Sequence, residues 1–128
     1  MDWATLSAIT HRGVPFANPL PPAVIDAAIA ALRRPDGARA LDVGCGAGEL
    51  LARLAARHSL RTEGIEPAAE WAEAARSRVD VVHAAPFMEV TLEHGVYDLV
   101  CCLASSHAIG SWEAVSYTHL TLPTTPYV

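Results

Sequence analysis

Residues 41–50 read Leu41-Asp42-Val43-Gly44-Cys45-Gly46-Ala47-Gly48-Glu49-Leu50, LDVGCGAGEL. An apolar, strand-like run ends in three glycines, and an amphipathic helical pattern starts at once. A loop of this kind lets a ligand rest on bare backbone, because glycine has no Cβ to hold it away. What the loop holds turns on whether that ligand carries phosphate.

The flanks alternate between strand and helix. Ala38–Val43 reads as a buried strand, and Glu49–His58 as a helix burying Leu50, Leu51, Leu54 and Ala55 with Arg53 and Arg57 outward. Arg61–Ile65 is a second strand, closed by Glu66. A helix follows from Pro67 or Ala68 to Arg78, with Ala68, Trp71, Ala72 and Ala75 inward. Val79–His83 is a third strand, and Pro86–Gly95 a loop with one helical turn. Tyr97–Leu103 is a fourth strand whose near-continuous hydrophobicity predicts cover on both faces. Upstream, Trp3–Thr10 forms a short helix and Phe16–Pro22 (FANPLPP) a turn-rich connector. Pro22 suits the first turn of a helix over Ala23–Arg33, whose apolar positions Val24, Ile25, Ala28, Ile29 and Leu32 make one stripe. Pro35-Asp36-Gly37 stops it. This alternation predicts an α/β fold, a Rossmann-like parallel sheet with flanking helices.

The 128 residues amount to one domain's worth of chain, and 52% hydrophobic composition is enough for a core. Net charge is −5 and the nine basic residues, all Arg, are scattered. No footprint for nucleic acid or an anionic membrane follows from that. Cys45, Cys101 and Cys102 cannot all pair internally and show no C-x-x-C spacing. They read as reduced thiols of a cytoplasmic protein without a metal site. The start, MDWATLSAITHRG, has neither the basic opening nor the apolar core of a signal peptide. The apolar run near Leu99–Ala104 is too short to span a bilayer. Oligomeric state leaves no mark in the sequence.

In a parallel α/β sheet, ligands lie beyond the carboxyl ends of the strands. The 44–48 loop, Glu66, the Ala84-Ala85 turn and the segment after Leu103 arrive there together. Glu66, eighteen residues after Gly48, can accept hydrogen bonds from both hydroxyls of a ribose. A dinucleotide fingerprint, G-x-G-x-x-G, would place its third glycine at position 49, which is Glu. Asp42 and Glu49 would both repel a pyrophosphate, yet suit a ligand with a ribose, positive charge and no phosphate. S-adenosylmethionine, with cationic sulfonium and ammonium groups, meets that description.

LDVGCGAGELLARLA, then GIEPA, then VYDLVCCLASSHAIG resembles a class I S-adenosylmethionine-dependent methyltransferase of the small-molecule branch, over Ile9 to Ala114. The resemblance implies that Gly44, Gly46 and Gly48, with Cys45 between them, pass under the methionine part of the cofactor. It implies that Asp42 reaches the methionine ammonium, that Glu66 holds the ribose, and that Pro67 lies beside the adenine. Ala84 and Ala85 fall where the family often carries an acidic contact to the adenine amine, so that contact here must come from backbone or be missing. Leu103 and Ala104 fall beside the reactive methyl. Cys45 itself reads as a small loop residue rather than a nucleophile, and Asp98 as the anchor of the fourth strand. His107, in Ser105-Ser106-His107-Ala108, follows the fourth strand on the ligand side. With an ordinary pKa of about 6.5 it can serve as base or substrate contact; the alternative is a loop histidine. His11 and Arg12 read either as a lid, with Arg12 on the cofactor carboxylate, or as a solvated helix end. The expected activity is methyl transfer to a small-molecule acceptor. A non-catalytic S-adenosylmethionine-binding module and a nicotinamide-dependent oxidoreductase remain as alternatives.

Composition breaks at Val115. VSYTHLTLPTTPYV has no Ala and no charged residue, although the preceding stretch holds twenty-four Ala. Val115–Thr124 can be back-translated into a run that resembles a transposase-type sequencing adapter. The expected organisation is therefore an N-terminal helical cap or lid over 1–37, a partial cofactor-binding α/β domain over 38–114, and a non-native tail over 115–128. A natural tail or fifth strand is the other reading. The family usually continues with three more strands, so an end after the fourth strand would leave an open edge prone to aggregation.

Overall fold

Strand β1 (Arg39–Val43) lies inside the sheet, with a neighbour on each side. Around it the chain runs α1 (Trp3–Thr10), α2 (Pro22–Ala31), β1, α3 (Glu49–His58), β2 (Arg61–Ile65), α4 (Ala69–Ala75), β3 (Val81–His83), a 3-10 turn at Phe87–Glu89, and β4 (Leu99–Cys101). The computed structural model describes residues 2–10, 12–16, 18, 20–33 and 36–103. His11, Ala104, His107 and the 115–128 tail lie outside the described residues.

All pairings are parallel, in the order β3-β2-β1-β4. The chain steps outward from β1 to β2 to β3, then returns to set β4 on the other side of β1. That reversal opens a crevice between β1 and β4 at their carboxyl ends, the place where such sheets hold ligands. Register puts Asp42 opposite Gly64 on one side and Cys101 on the other.

The two faces of the sheet are covered differently. Ala40 and the helices α2 and α3 build one core with Ile25, Ile29, Leu50, Leu51 and Leu54. Leu41, Val43 and Ile65 face the opposite way and are covered by Phe87, Val90, Leu92 and Tyr97 from the β3–β4 connection. α2 therefore belongs to the same core as the sheet.

Several expected boundaries move. α2 stops at Ala31 rather than Arg33, because Leu32 turns extended while its N–H closes on the Ile29 carbonyl. Only Ile25 and Ile29 of its stripe are buried; Val24 is 53% exposed and Ala28 also lies open, both lining an apolar cleft against Leu99 and Leu103. α4 ends at Ala75, whose carbonyl accepts from the N–H groups of Arg78 and Val79. β3 begins at Val81 because Val79 is buried against α4 and the Asp80 carboxylate accepts from both Thr62 N–H and Oγ1. β4 is shorter than Tyr97–Leu103, and its residues are half-buried rather than covered on both faces. Among the described residues no strand pairs with its outer edge. Asp98 does anchor its start: its N–H donates to the Arg39 carbonyl, and its Oδ2 accepts from the Arg39 N–H at 2.9 Å.

Candidate functional site

The glycine loop is tied to the end of β2. The N–H groups of Gly44 and Cys45 both donate to the Ile65 carbonyl, at 2.8 and 3.0 Å. Gly46 N–H donates to Glu66 Oε2 at 3.0 Å, and Ala68 N–H to Glu66 Oε1 at 2.9 Å. Glu66 N–H in turn reaches the His83 carbonyl at 3.0 Å. One carboxylate thus fixes the loop after β1 to the turn after β2, and its backbone ties that turn to β3. Each oxygen keeps a further lone pair for a ligand hydroxyl.

Two glycines of the loop serve close packing. At Gly48 (φ +81°) a Cβ would fall 2.7 Å from Val79 Cγ2 and 3.3 Å from Ala75 Cβ. Close packing of α3 against the end of α4 depends on that missing atom. At Gly46 (φ +54°) the backbone backs onto the edge of the Trp71 ring, where a Cβ would sit 3.3 Å from Cε3. A third close contact escapes sequence reading. Gly64 in β2 leaves room for the Cys45 side chain, whose Sγ would be 2.6 Å from a Cβ there.

Asp42 is the unusual residue. It is 3% exposed, and its Oδ1 finds no hydrogen-bond partner among the described residues. Burial first, and then the Glu66 charge, push its carboxyl up to about 7. The same burial, with the Asp42 charge behind it, pushes the Cys45 and Cys101 thiols up to about 12. Neither is a nucleophile at neutral pH. Cys45 turns its side chain into the core, so its contribution to a ligand is its backbone.

Asp42, Gly44, Cys45, Gly46 and Leu103 line one small cavity of about 60 Å³, roofed by Pro15, Phe16 and Asn18. Glu66, Pro67, Ala84 and Ala85 stand beside it at the carboxyl ends of β2 and β3. Pro67 and Ala84 are exposed and Ala85 is half-buried. Phe16 and Asn18 were not singled out by sequence; the sign of the former is an Arg53 guanidinium 5.1 Å above its ring. Arg12 lies at a separate cleft of about 450 Å³ between residues 12–15 and α4, paired with Glu70 at 3.7 Å. His107 and His11 lie outside the described residues.

One electrostatic expectation is corrected. Glu49 is not a bare repelling charge: Arg53 Nε meets Oε1 at 2.9 Å and Arg78 meets Oε2 at 2.7 Å. The Arg53 partner lies one helical turn away, but Arg78 arrives from beyond α4. Among the described residues, repulsion of a pyrophosphate therefore falls to Glu66 and, when ionised, Asp42. The chain has no Lys, and no described arginine lines the Asp42 cavity. A buried acid without a cation beside a second acid fits a ligand that brings positive charge of its own. Among the described residues there is no cluster of three metal-ligating side chains, and no helix long and apolar enough to cross a membrane.

Comparison with known proteins agrees with this geometry. The family model described as a methyltransferase domain matches residues 20–117. A methyltransferase from Thiobacillus denitrificans, solved with S-adenosyl-L-homocysteine, superposes with a TM-score of 0.79 at 26% identity, over 95% of this chain and 52% of its own. One from Geobacter sulfurreducens, also solved with S-adenosyl-L-homocysteine, gives 0.77 at 23%, over 94% and 51%. A Haemonchus contortus phosphoethanolamine N-methyltransferase, solved with phosphomonomethylethanolamine and S-adenosylhomocysteine, gives 0.72 at 20%, over 91% and 30%. The chain thus spans about half the length of the first two. No curated protein sequence matches it significantly.

Proposed function

The chain belongs to the methyltransferase domain family, and from that premise we propose that it binds S-adenosylmethionine and directs its methyl group to a small-molecule acceptor. The observation that carries the reading is the partnerless Oδ1 of Asp42, buried at the switch point of the sheet. A nucleoside with an ammonium group supplies what that oxygen lacks; a dinucleotide pyrophosphate does not.

The bound cofactor supplies a methyl group already activated by a sulfonium. The protein's share is alignment and exclusion of water. In this reading Asp42 takes the ammonium, and Gly44–Gly48 offer backbone beneath the methionine chain. Glu66 accepts from the ribose hydroxyls with the lone pairs its backbone bonds leave over. Pro67, Ala84 and Ala85 border the adenine, and Leu103 stands toward the acceptor side. His107 serves as the base for acceptors that must lose a proton. A small acceptor is favoured over a polyanion by the net charge of −5 and scattered arginines. The Haemonchus enzyme, of the same fold, is an instance of a small acceptor.

Calorimetric titration with S-adenosylhomocysteine and with NAD tests the reading. Heat with the first and none with the second is expected. Saturable NAD binding without any response to S-adenosylhomocysteine overturns it.

A further inference from the structure

The unpartnered acid has a consequence for how a cation enters. Asp42 faces Cys101 across β4, Cys45 in the glycine loop and Glu66 at the end of β2. The roof over it offers Pro15, Phe16 and the neutral Asn18, and Glu49 at the cavity rim is held by Arg53 and Arg78. Both thiols stay protonated, so among the described residues the groups around Asp42 are neutral or negative. A lone carboxylate there would pay for lost solvation and repel Glu66 as well.

We propose that the ligand's ammonium enters by displacing a proton: Asp42 stands as the neutral acid in the free protein and as the carboxylate in the complex. The O–H bond of the carboxyl breaks, its proton passes to solvent, and the electron pair left on oxygen faces the ammonium. Nothing is oxidised or reduced. The upward push on the free carboxyl to about 7 agrees with this geometry. The inference rests on the cofactor reading above and adds to it a direction of pH control: binding weakens in acid because the proton competes with the ligand.

The test is calorimetry of the 128-residue chain with S-adenosylhomocysteine, whose only cation is its ammonium, between pH 6 and pH 8. Each pH is measured in phosphate and in Tris, which differ in heat of ionisation. Near pH 6, close to one proton per ligand leaves the protein, and affinity rises about fivefold from pH 6 to pH 7 and only about twofold more from pH 7 to pH 8. The carbon resonance of the Asp42 carboxyl, followed in the free protein, titrates near neutrality and loses that step once ligand is bound. Asp42→Asn binds more weakly, with buffer-independent heat and a flat pH profile. Should that variant not fold, the two-buffer heats and carboxyl titration of the unmodified chain decide alone. Binding with buffer-independent heat and flat affinity overturns the proton displacement and leaves the cofactor reading standing. No heat in either buffer overturns both.

Discussion

Asp42 and Glu63 are acids on adjacent strands, facing opposite sides of one sheet, and they differ in company. Among the described residues, Asp42 has an oxygen without a partner and no cation beside it. Glu63 is met by His83 Nε2 at 2.7 Å on one oxygen and by Arg39 at 3.4 Å on the other. Burial raises Glu63 too, but hydrogen bonds from His83 and Tyr97, the His83 charge and the Arg39 bond outweigh it, and its carboxyl is held below the usual range. Tyr97 is itself pushed up to about 12, by burial and then by its bond to Glu63. The partnered acid joins three strands and the β3–β4 connection. The acid with the unpaired Oδ1 is costly to ionise there and lies beside the glycine loop at the carboxyl end of β1. The difference separates a residue whose partners tie the fold together from one left to the cofactor role proposed above.

Removing each charge should therefore move stability in opposite directions, and Asp42→Asn gives the larger effect. An unfolded Asp ionises near pH 4, whereas folded Asp42 ionises at about 7. Between those values the folded state holds the extra proton, so this stabilising contribution is whole in acid and is lost as pH rises through 7. At pH 8 the Asn variant should be more stable by roughly 2–4 kcal/mol in urea titrations, with the gain gone below pH 4. S-adenosylhomocysteine affinity should fall about 30-fold or more. A variant that is less stable at pH 8 and still binds normally would erase the contrast.

Gly48→Ala sharpens the distinction from within the site end. Its Cβ would need the space of Val79 Cγ2, at a φ that side chains rarely adopt. A loss of about 2–3 kcal/mol in thermal unfolding is expected, with part recovered by adding Val79→Ala. A loss near zero would mean that the loop yields and that the third glycine serves the ligand alone.

Glu63→Gln comes third, at about 1–2 kcal/mol of destabilisation at neutral pH. Its sign is the reverse of Asp42. The stabilisation is present above the ordinary Glu range and vanishes as pH falls through the lowered value. The variant and the unmodified chain should converge in acid, and ligand affinity should stay within about twofold. Divergence that grows in acid would show that Glu63 is not held as an ion.

Much of this was legible in the sequence, for local reasons. β2 and α3 fall where their patterns place them, because Leu50, Leu51 and Leu54 mark one helical face and Arg61–Ile65 is bounded on both sides. The Asp42–glycine–Glu66 grouping follows from strand–loop–helix order alone. What escaped depends on residues distant in the chain. The partners of Glu63 come from positions 39, 83 and 97, brought together by parallel register. The need for Gly64 exists only once Cys45 folds over it. The pattern of α2 marks an apolar face without saying what covers it, so its open side is visible only in the structure. The roles expected of His107 and Ala104, beyond the described residues, stay as the sequence left them.

Arg12→Ala is the smallest effect, and it extends the comparison to exposed charge. Arg12 and Glu70 meet at 3.7 Å with side chains 74% and 69% exposed. In water such a pair is worth about 0–1 kcal/mol, so unfolding temperature should not change measurably. If Arg12 folds over the cofactor as part of a lid, it meets the ligand carboxylate from the solvent side. Affinity for S-adenosylhomocysteine should then fall by about two- to fivefold at low salt, and the difference should disappear as salt screens it. 5′-Methylthioadenosine, which lacks the amino-acid carboxylate, should bind both forms alike; equal loss for the two ligands would place Arg12 elsewhere. Arg12 and Asp42 would then hold opposite ends of the same zwitterion, one through water and one through protein. Coulomb attraction grows as the surrounding dielectric falls, so the buried end should dominate affinity while the exposed end only trims it.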